Sequence, residues 1–191
     1  MKTVNIHTDG ACAGNQSRKN VGGWGAVLEY GPHVKEIHGG ERDTTNNRME
    51  MTALIAALGA LTREGLKVRV FSDSAYLTEC FRYKWHVNWA KNGWMRGKAL
   101  KAPVENRDLW ESLLALTGRH DCSFYRVKGH VSLAKSPESL EPIYRKFLEW
   151  NGPEFGYEDF LHATKMNNRA DELANMGAAE AREGGGGSGA D

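Results

Sequence analysis

Four carboxylates occupy places where shared chemistry would need them: Asp9, Glu50, Asp73 and Asp171. Asp9 follows the alternating run Val4-Asn5-Ile6-His7-Thr8, and Asp73 follows Val68-Arg69-Val70-Phe71-Ser72, both strand-like patterns. Glu50 shares a helical stripe with Leu54, Ile55 and Leu58, which aims it at a sheet and away from solvent. Asp171 precedes Ala174 and Ala178 on a small apolar face. If the two strands pair in parallel across the intervening helix, their ends lie about 5 Å apart. Acids converging there repel one another unless a cation neutralises them, and all-oxygen ligands favour Mg2+ or Mn2+ over zinc. Taken singly, each acid also fits ordinary structure. Glu50 and Asp171 suit the first turn of a helix, Asp9-Gly10 suits a turn, and Asp73-Ser74 suits a helix start. Taken together and in this order, a metal-binding cluster is the better account.

Positioning these groups requires alternating elements. Strands are expected over residues 4–8, ending at Asp9-Gly10, and over 24–30, 34–39, 68–72 and 122–127. A helix capped by Asn47, with Glu50 closing a capping box, follows the third strand; others are expected over 75–82, 106–116 and, capped by Asn168, 169–181. Three strands joined by short turns, then helix alternating with strand, give an α/β fold with a mixed sheet. A single domain is expected over residues 1–181, with a flexible Gly-rich tail over 182–191. No apolar run approaches the roughly 20 residues of a membrane span, and the first residues carry no secretory apolar core. Three cysteines without metal-type spacing point to a reducing, cytoplasmic setting. With 25 basic and 24 acidic residues, overall charge does not announce a nucleic-acid partner, so its distribution must be read instead.

Five segments in order, Thr8-Asp9-Gly10-Ala11-Cys12, Thr44 to Glu50 (TTNNRME), Ser72-Asp73-Ser74, Val127-Lys128-Gly129-His130 and Asn168 to Ala174 (NRADELA), resemble the signature segments of the type 1 ribonuclease H family. The likeness covers about residues 1–130 and 167–181. It implies a ribonuclease H-like fold, a five-stranded mixed β-sheet flanked by α-helices. It also implies hydrolysis of the RNA strand of RNA–DNA hybrids to 5′-phosphate and 3′-hydroxyl ends. By the same resemblance Asp9 bridges two Mg2+ ions, with Mn2+ a possible substitute; Glu50 and Asp73 complete one site and Asp171 the other. His130 is an auxiliary proton shuttle or an aid to product departure.

The resemblance also assigns substrate contacts. Cys12, Asn15, Asn46 and Asn47 match positions that touch the two strands, and Thr45 matches a DNA-phosphate contact. Residues 80–104 hold six basic side chains and no acid, interleaved with Trp85, Trp89 and Trp94. That combination suits a basic protrusion gripping phosphates without reading sequence. Within it, Trp89 and Lys91 fall where the family touches the DNA strand, while Trp85 is assigned to packing. Ala75 departs from the family pattern, which often has Gln there. The expected partner is an RNA–DNA hybrid, bound by a monomer without membrane or obligate protein partner.

Between His130 and Asn168 lie 37 residues, an inserted segment where compact family members have a handful. Residues 140–150 form a plausible amphipathic helix with Pro142 near its start. Six acids against four bases over 131–166 argue against a second phosphate grip. A lid-like helical excursion is the preferred reading; an interaction surface presenting Tyr144, Phe147 and Trp150 is the alternative. Two other functions stay open on sequence: a different nuclease or strand-transferase on the same fold, and a non-catalytic hybrid binder. Clustered acids speak against the binder, and the Asn/Cys set speaks against the other nuclease.

Overall fold

The computed structural model describes residues 3–13, 20–97 and 102–184. Its centre is a five-stranded mixed sheet in the order β3-β2-β1-β4-β7. The strands are β1 (Thr3–Ala13), β2 (Val21–Tyr30), β3 (His33–Arg42), β4 (Lys67–Ser72) and β7 (Asp121–Arg126). β1, β2 and β3 form an antiparallel meander; β4 pairs in parallel with both β1 and β7. Two two-residue strands, β5 (Met95–Arg96) and β6 (Ala102–Pro103), make a separate ribbon that the sequence pattern does not announce. The helices are α1 (Asn46–Gly59), α2 (Ala75–Arg82), α3 (Trp85–Lys91), α4 (Arg107–Thr117), α5 (Pro137–Asn151) and α6 (Tyr157–Glu183).

Strand alternation sorts the core into two layers. Val4 and Ile6 of β1 and Val68 and Val70 of β4 pack with Leu54 and Leu58 of α1 and Trp110 and Leu113 of α4. Phe71 of β4 turns the other way, into a cluster with Phe147 of α5, Phe155 of the α5–α6 connection and Phe160 of α6. The inserted segment is therefore the second core. Phe147 is buried, and the Tyr144 hydroxyl donates to the Phe155 carbonyl at 3.1 Å. Phe147 is therefore core and not part of an interaction surface, while Tyr144 and Trp150 are half-buried. Trp150 lies under the Arg126 guanidinium, 4.4 Å from its centroid. α5 starts three residues earlier than expected, capped by the Ser136 hydroxyl, so Pro142 sits inside it.

Three terminal assignments also change. β1 runs on through Asp9 and Gly10 to Ala13, because β2 pairs with it along that whole length. The cap of α1 is Thr45, whose Oγ1 accepts from the Arg48 N–H at 3.3 Å; Asn47 and Glu50 lie inside the helix. Asn168 caps nothing. An unbroken buried stripe from Phe160 through Ala163, Thr164, Asn167, Ala170 and Ala174 to Ala178 makes α6 one helix. The Asn168 amide instead donates to the Val131 carbonyl at 2.8 Å, tying the segment after β7 to α6. α6 also takes in Arg182 and Glu183 of the expected tail; residues 185–191 of that tail lie outside the described residues.

α6 lies so close on β2 that a side chain at Gly23 would meet the Ala174 carbonyl and the Ala178 amide of the helix backbone. Gly23→Ala should therefore lower unfolding stability by about 1–3 kcal/mol, read as a lower urea midpoint at unchanged slope. An unaltered midpoint would show that helix and sheet are not in backbone contact there.

Candidate active site

The parallel register pairs Thr8 with Ser72, so Asp9 and Asp73 come out side by side beyond the last matched pair. α1 brings Glu50 over them, and the three side chains offer oxygens all within 4.8 Å of one another. Asp9 and Glu50 are buried, at 3% and 4% exposure. One oxygen of Asp9 accepts from the Gly10 N–H at 2.8 Å, while Oε2 of Glu50 has no hydrogen-bond partner. Asp171 stands apart from this trio, more than three turns into α6 and not in its first turn. It lines the same open cleft of about 340 Å³, together with Cys12, Asn46, His130 and Asn175.

Burial and mutual repulsion hold protons on the cluster. The Asp9 carboxyl is pushed up to about 8, mainly by burial, then by the charges of Asp73 and Asp171. Glu50 is pushed well above the ordinary carboxylate range by complete burial, then by Asp9 and Asp73. Burial also raises Asp73, with the nearby His130 working against it. An orphaned carboxylate oxygen, three converging acids and no nitrogen or sulfur donor among them fit a hard divalent cation.

His130 is exposed, with φ of 55° and its Nδ1 3.7 Å from an Asp171 oxygen. The glycine before it has a reason other than mobility. A Cβ on Gly129 would occupy the place of the Asp73 carboxylate. Asn175, which the motif reading passes over, sits one turn beyond Asp171 and donates to its carbonyl at 2.9 Å and its carboxylate at 3.3 Å. Its i+4 spacing was the available signal. Arg48 joins α1 to α4 through paired bonds of 3.1 and 2.9 Å to Asp108.

The remaining expected contacts are more dispersed. Thr45 and Asn47 are exposed on the first turn of α1 beside the cleft, and Asn15 lies outside the described residues. Trp89 and Lys91 are on α3, away from the cleft lining. Trp89 packs edge-on against Trp110 with ring centres 5.4 Å apart, so it is half core; Lys91 is exposed. Trp85, Trp89 and Trp94 all lean on the first core cluster. Lys98 and Lys101 of the basic segment lie outside the described residues. A second cleft shares Asp73 with the first and carries Arg126, Lys128, Lys146 and Trp150. Helix sidedness thus turns Lys146 of α5 toward this cleft although the inserted segment is acidic in sum.

The RNase H family profile matches residues 1–139. A ribonuclease H of Moorella thermoacetica is 53% identical over 130 residues, 68% of this chain and 82% of that protein. One from Hahella chejuensis is 43% identical over 181 residues, 95% of this chain and 97% of that protein. Among solved structures, LC9-RNase H1, described as a type 1 RNase H with the type 2 active-site motif, superposes with a TM-score of 0.68 at 24% identity, covering 94% of this chain and 74% of that one. LC11-RNase H1 in complex with RNA/DNA hybrid gives 0.57 at 18% identity, covering 94% and 99%. The structural likenesses bear on the fold, which is the five-stranded mixed sheet with flanking helices expected from sequence.

The raised carboxyls have a thermodynamic consequence. A folded Asp9 that keeps its proton to about 8, against an ordinary 3.8, contributes stability that is complete below pH 4 and lost as pH rises through 8. Ion-free protein should show a denaturation midpoint that falls across that window. Millimolar divalent ion should flatten the fall, and Asp9→Asn should reduce it. A midpoint independent of pH from 4 to 8 without ions would mean that the acids do not crowd one another.

Proposed function

This chain belongs to the ribonuclease H family, and from that premise we infer that it hydrolyses the RNA strand of RNA–DNA hybrids at the Asp9–Glu50–Asp73–Asp171 cleft. The observation carrying the assignment of the site is the convergence of three acids, two of them buried, with one oxygen left unpartnered. Asp9, central in the trio, would be shared between two Mg2+ ions, with Glu50 and Asp73 holding one and Asp171 the other. Such ions supply charge relief on the phosphate, an acidified water and a stabilised leaving oxygen. Mn2+ has the same preference for oxygen and would substitute.

The protein groups divide the remaining work. His130, exposed at the mouth and beside Asp171, is placed to exchange protons with bulk water near the departing 3′-oxygen. Its role is auxiliary, since it is exposed and lies outside the converging acid trio. Asn46 and Cys12 line the cleft where 2′-hydroxyls in a shallow minor groove would face them. Asn15, Thr45 and Asn47 are assigned to the same strands. Lys91 on α3 grips DNA phosphates, with Trp89 bracing that helix against Trp110. Grip through phosphates positions the duplex without selecting sequence, so cutting is largely sequence-independent. All four acids come from one chain, which supports action as a monomer. The three cysteines are unbonded, in keeping with a reducing cytoplasm. No helix among the described residues is long and apolar enough to cross a membrane.

With Mg2+, purified protein should cut the labelled RNA strand of a hybrid, leave the DNA strand intact, and yield 5′-phosphate ends. Asp9→Asn should slow single-turnover cutting by at least about a hundredfold, as loss of a charge-stabilising group at a reacting centre does. Intact hybrid across metals and pH with folded wild-type protein would falsify the reading; equal cutting of duplex DNA would transfer it to another nuclease.

Lys91→Ala should behave oppositely. Hybrid affinity should fall and its salt slope shrink by about one counterion, while cutting at saturation changes little. Unchanged affinity with collapsed chemistry would remove α3 from the substrate path.

A further inference from the structure

On the other side of the domain from α1, His7 of β1, Glu29 of β2 and His162 of α6 meet. His7 Nε2 lies 2.9 Å from Glu29 Oε2, and His162 Nε2 lies 2.9 and 3.0 Å from the two oxygens of the same carboxylate. We propose that His7, Glu29 and His162 form a transition-metal site, suited to Zn2+ or Co2+, that clamps the first half of α6 to the sheet. It is separate from the carboxylate cleft in place and in chemistry.

The donor set is the first argument. Two imidazoles and one carboxylate, with ligand atoms all within 4.8 Å of one another, make a trio of the kind that binds borderline ions. Ligands about 2.0 Å from a tetrahedral ion stand about 3.3 Å apart, so the two nitrogen–oxygen spacings need open by only a few tenths of an ångström. Preorganisation is the second argument. The His7 ring is stacked on Phe71 with centroids 5.0 Å apart, fixing its plane, and the His162 ring stands edge-on to it at 6.0 Å.

Access and protonation complete the case. His7 is 1% exposed and Glu29 14%, but His162 is 51% exposed and leaves one side open for an entering ion and its remaining water. A cleft of about 90 Å³ borders the trio, with Asn5, Arg69 and Asp159 as its other polar walls. Glu29 is held ionised, down to about 2, chiefly by the hydrogen bond from His7. Burial works against a charged His7 ring. Ligation through Nε2 requires the proton of each ring to move to Nδ1, which in His7 is buried and has no hydrogen-bond partner. Arg69 opposes a cation here, but its guanidinium is spread over the faces of Phe71, Tyr125 and Phe155 at 5.2 to 5.3 Å.

Selectivity supplies the test. Excess Mg2+ fills oxygen sites and leaves nitrogen sites free, so ion-stripped full-length protein is titrated with Co2+ in its presence. One equivalent should bind with visible absorption of a low-coordinate nitrogen–oxygen site, raise the melting temperature, and be displaced by Zn2+. His162→Ala and Glu29→Gln should each weaken Co2+ binding at least about tenfold while leaving Mg2+-dependent hybrid cutting as in wild type. His162→Gln, which keeps polarity and removes the ring nitrogen, serves if the alanine variant does not fold. Three results would each reduce the trio to a hydrogen-bonded strut. These are no Mg2+-resistant Co2+ binding, binding equal in wild type and every folded His162 or Glu29 variant, or binding lost on Asp9→Asn alone.

Discussion

Repulsion among buried carboxylates is the constraint around which the rest of the molecule is arranged. Asp9, Glu50 and Asp73 would each ionise freely in water; here burial raises all three, and proximity adds to it most for Asp9 and Glu50. A fold keeps such a cluster together only if its supports are stiffer than the repulsion is strong. The supports are central: β1 and β4 are interior strands of the sheet, and α1 is fixed over them by Met51, Leu54 and Leu58 in the first core layer. A divalent ion held there would relieve the repulsion and supply the proposed chemistry, so stability and function would draw on one set of charges.

Fine positioning comes from short-range devices outside the acids. Thr45 starts α1 so that its fifth residue, Glu50, reaches the sheet end. Gly129 leaves room for the Asp73 carboxylate, which lets the segment bearing His130 pass close to the cluster. α6 carries Asp171 at mid-length, with its direction set by the glycine-mediated contact on β2 and by Asn168 bonding to Val131. Asp171 is consequently placed by the contact of α6 on β2, while the inserted segment packs the start of the same helix against β4 and β7.

That division ties the inserted segment to the site. α5, the α5–α6 connection and the first half of α6 bring Phe147, Phe155 and Phe160 under β4 and β7, and turn Lys146 and Trp150 toward a cleft that shares Asp73. At the other end of the same helix face, His162 reaches the His7–Glu29 pair. The segment is thereby joined to the sheet by aromatic packing and by one polar trio.

Much of this was written in the chain itself. Alternation in Val4–Thr8 and Val68–Ser72 gave the two central strands, and identical local patterns ending in Asp gave the juxtaposition of Asp9 and Asp73, because parallel pairing aligns like ends. The ordered segments around Asp9, Glu50, Asp73, His130 and Asp171 sufficed for the family. Ends and faces were another matter. Asn168 and Asn47 look like caps because a cap is a local hydrogen bond, yet both lie inside helices whose extent the buried stripe and the Thr45 hydroxyl decide. The acidic sum of the inserted segment hid Lys146, which lines the cleft that shares Asp73, since net charge carries no direction. His7, Glu29 and His162 are 22 and 133 residues apart in successive steps. Nothing local marks them as a group, and only the stacking of α6 on the sheet brings their side chains into contact.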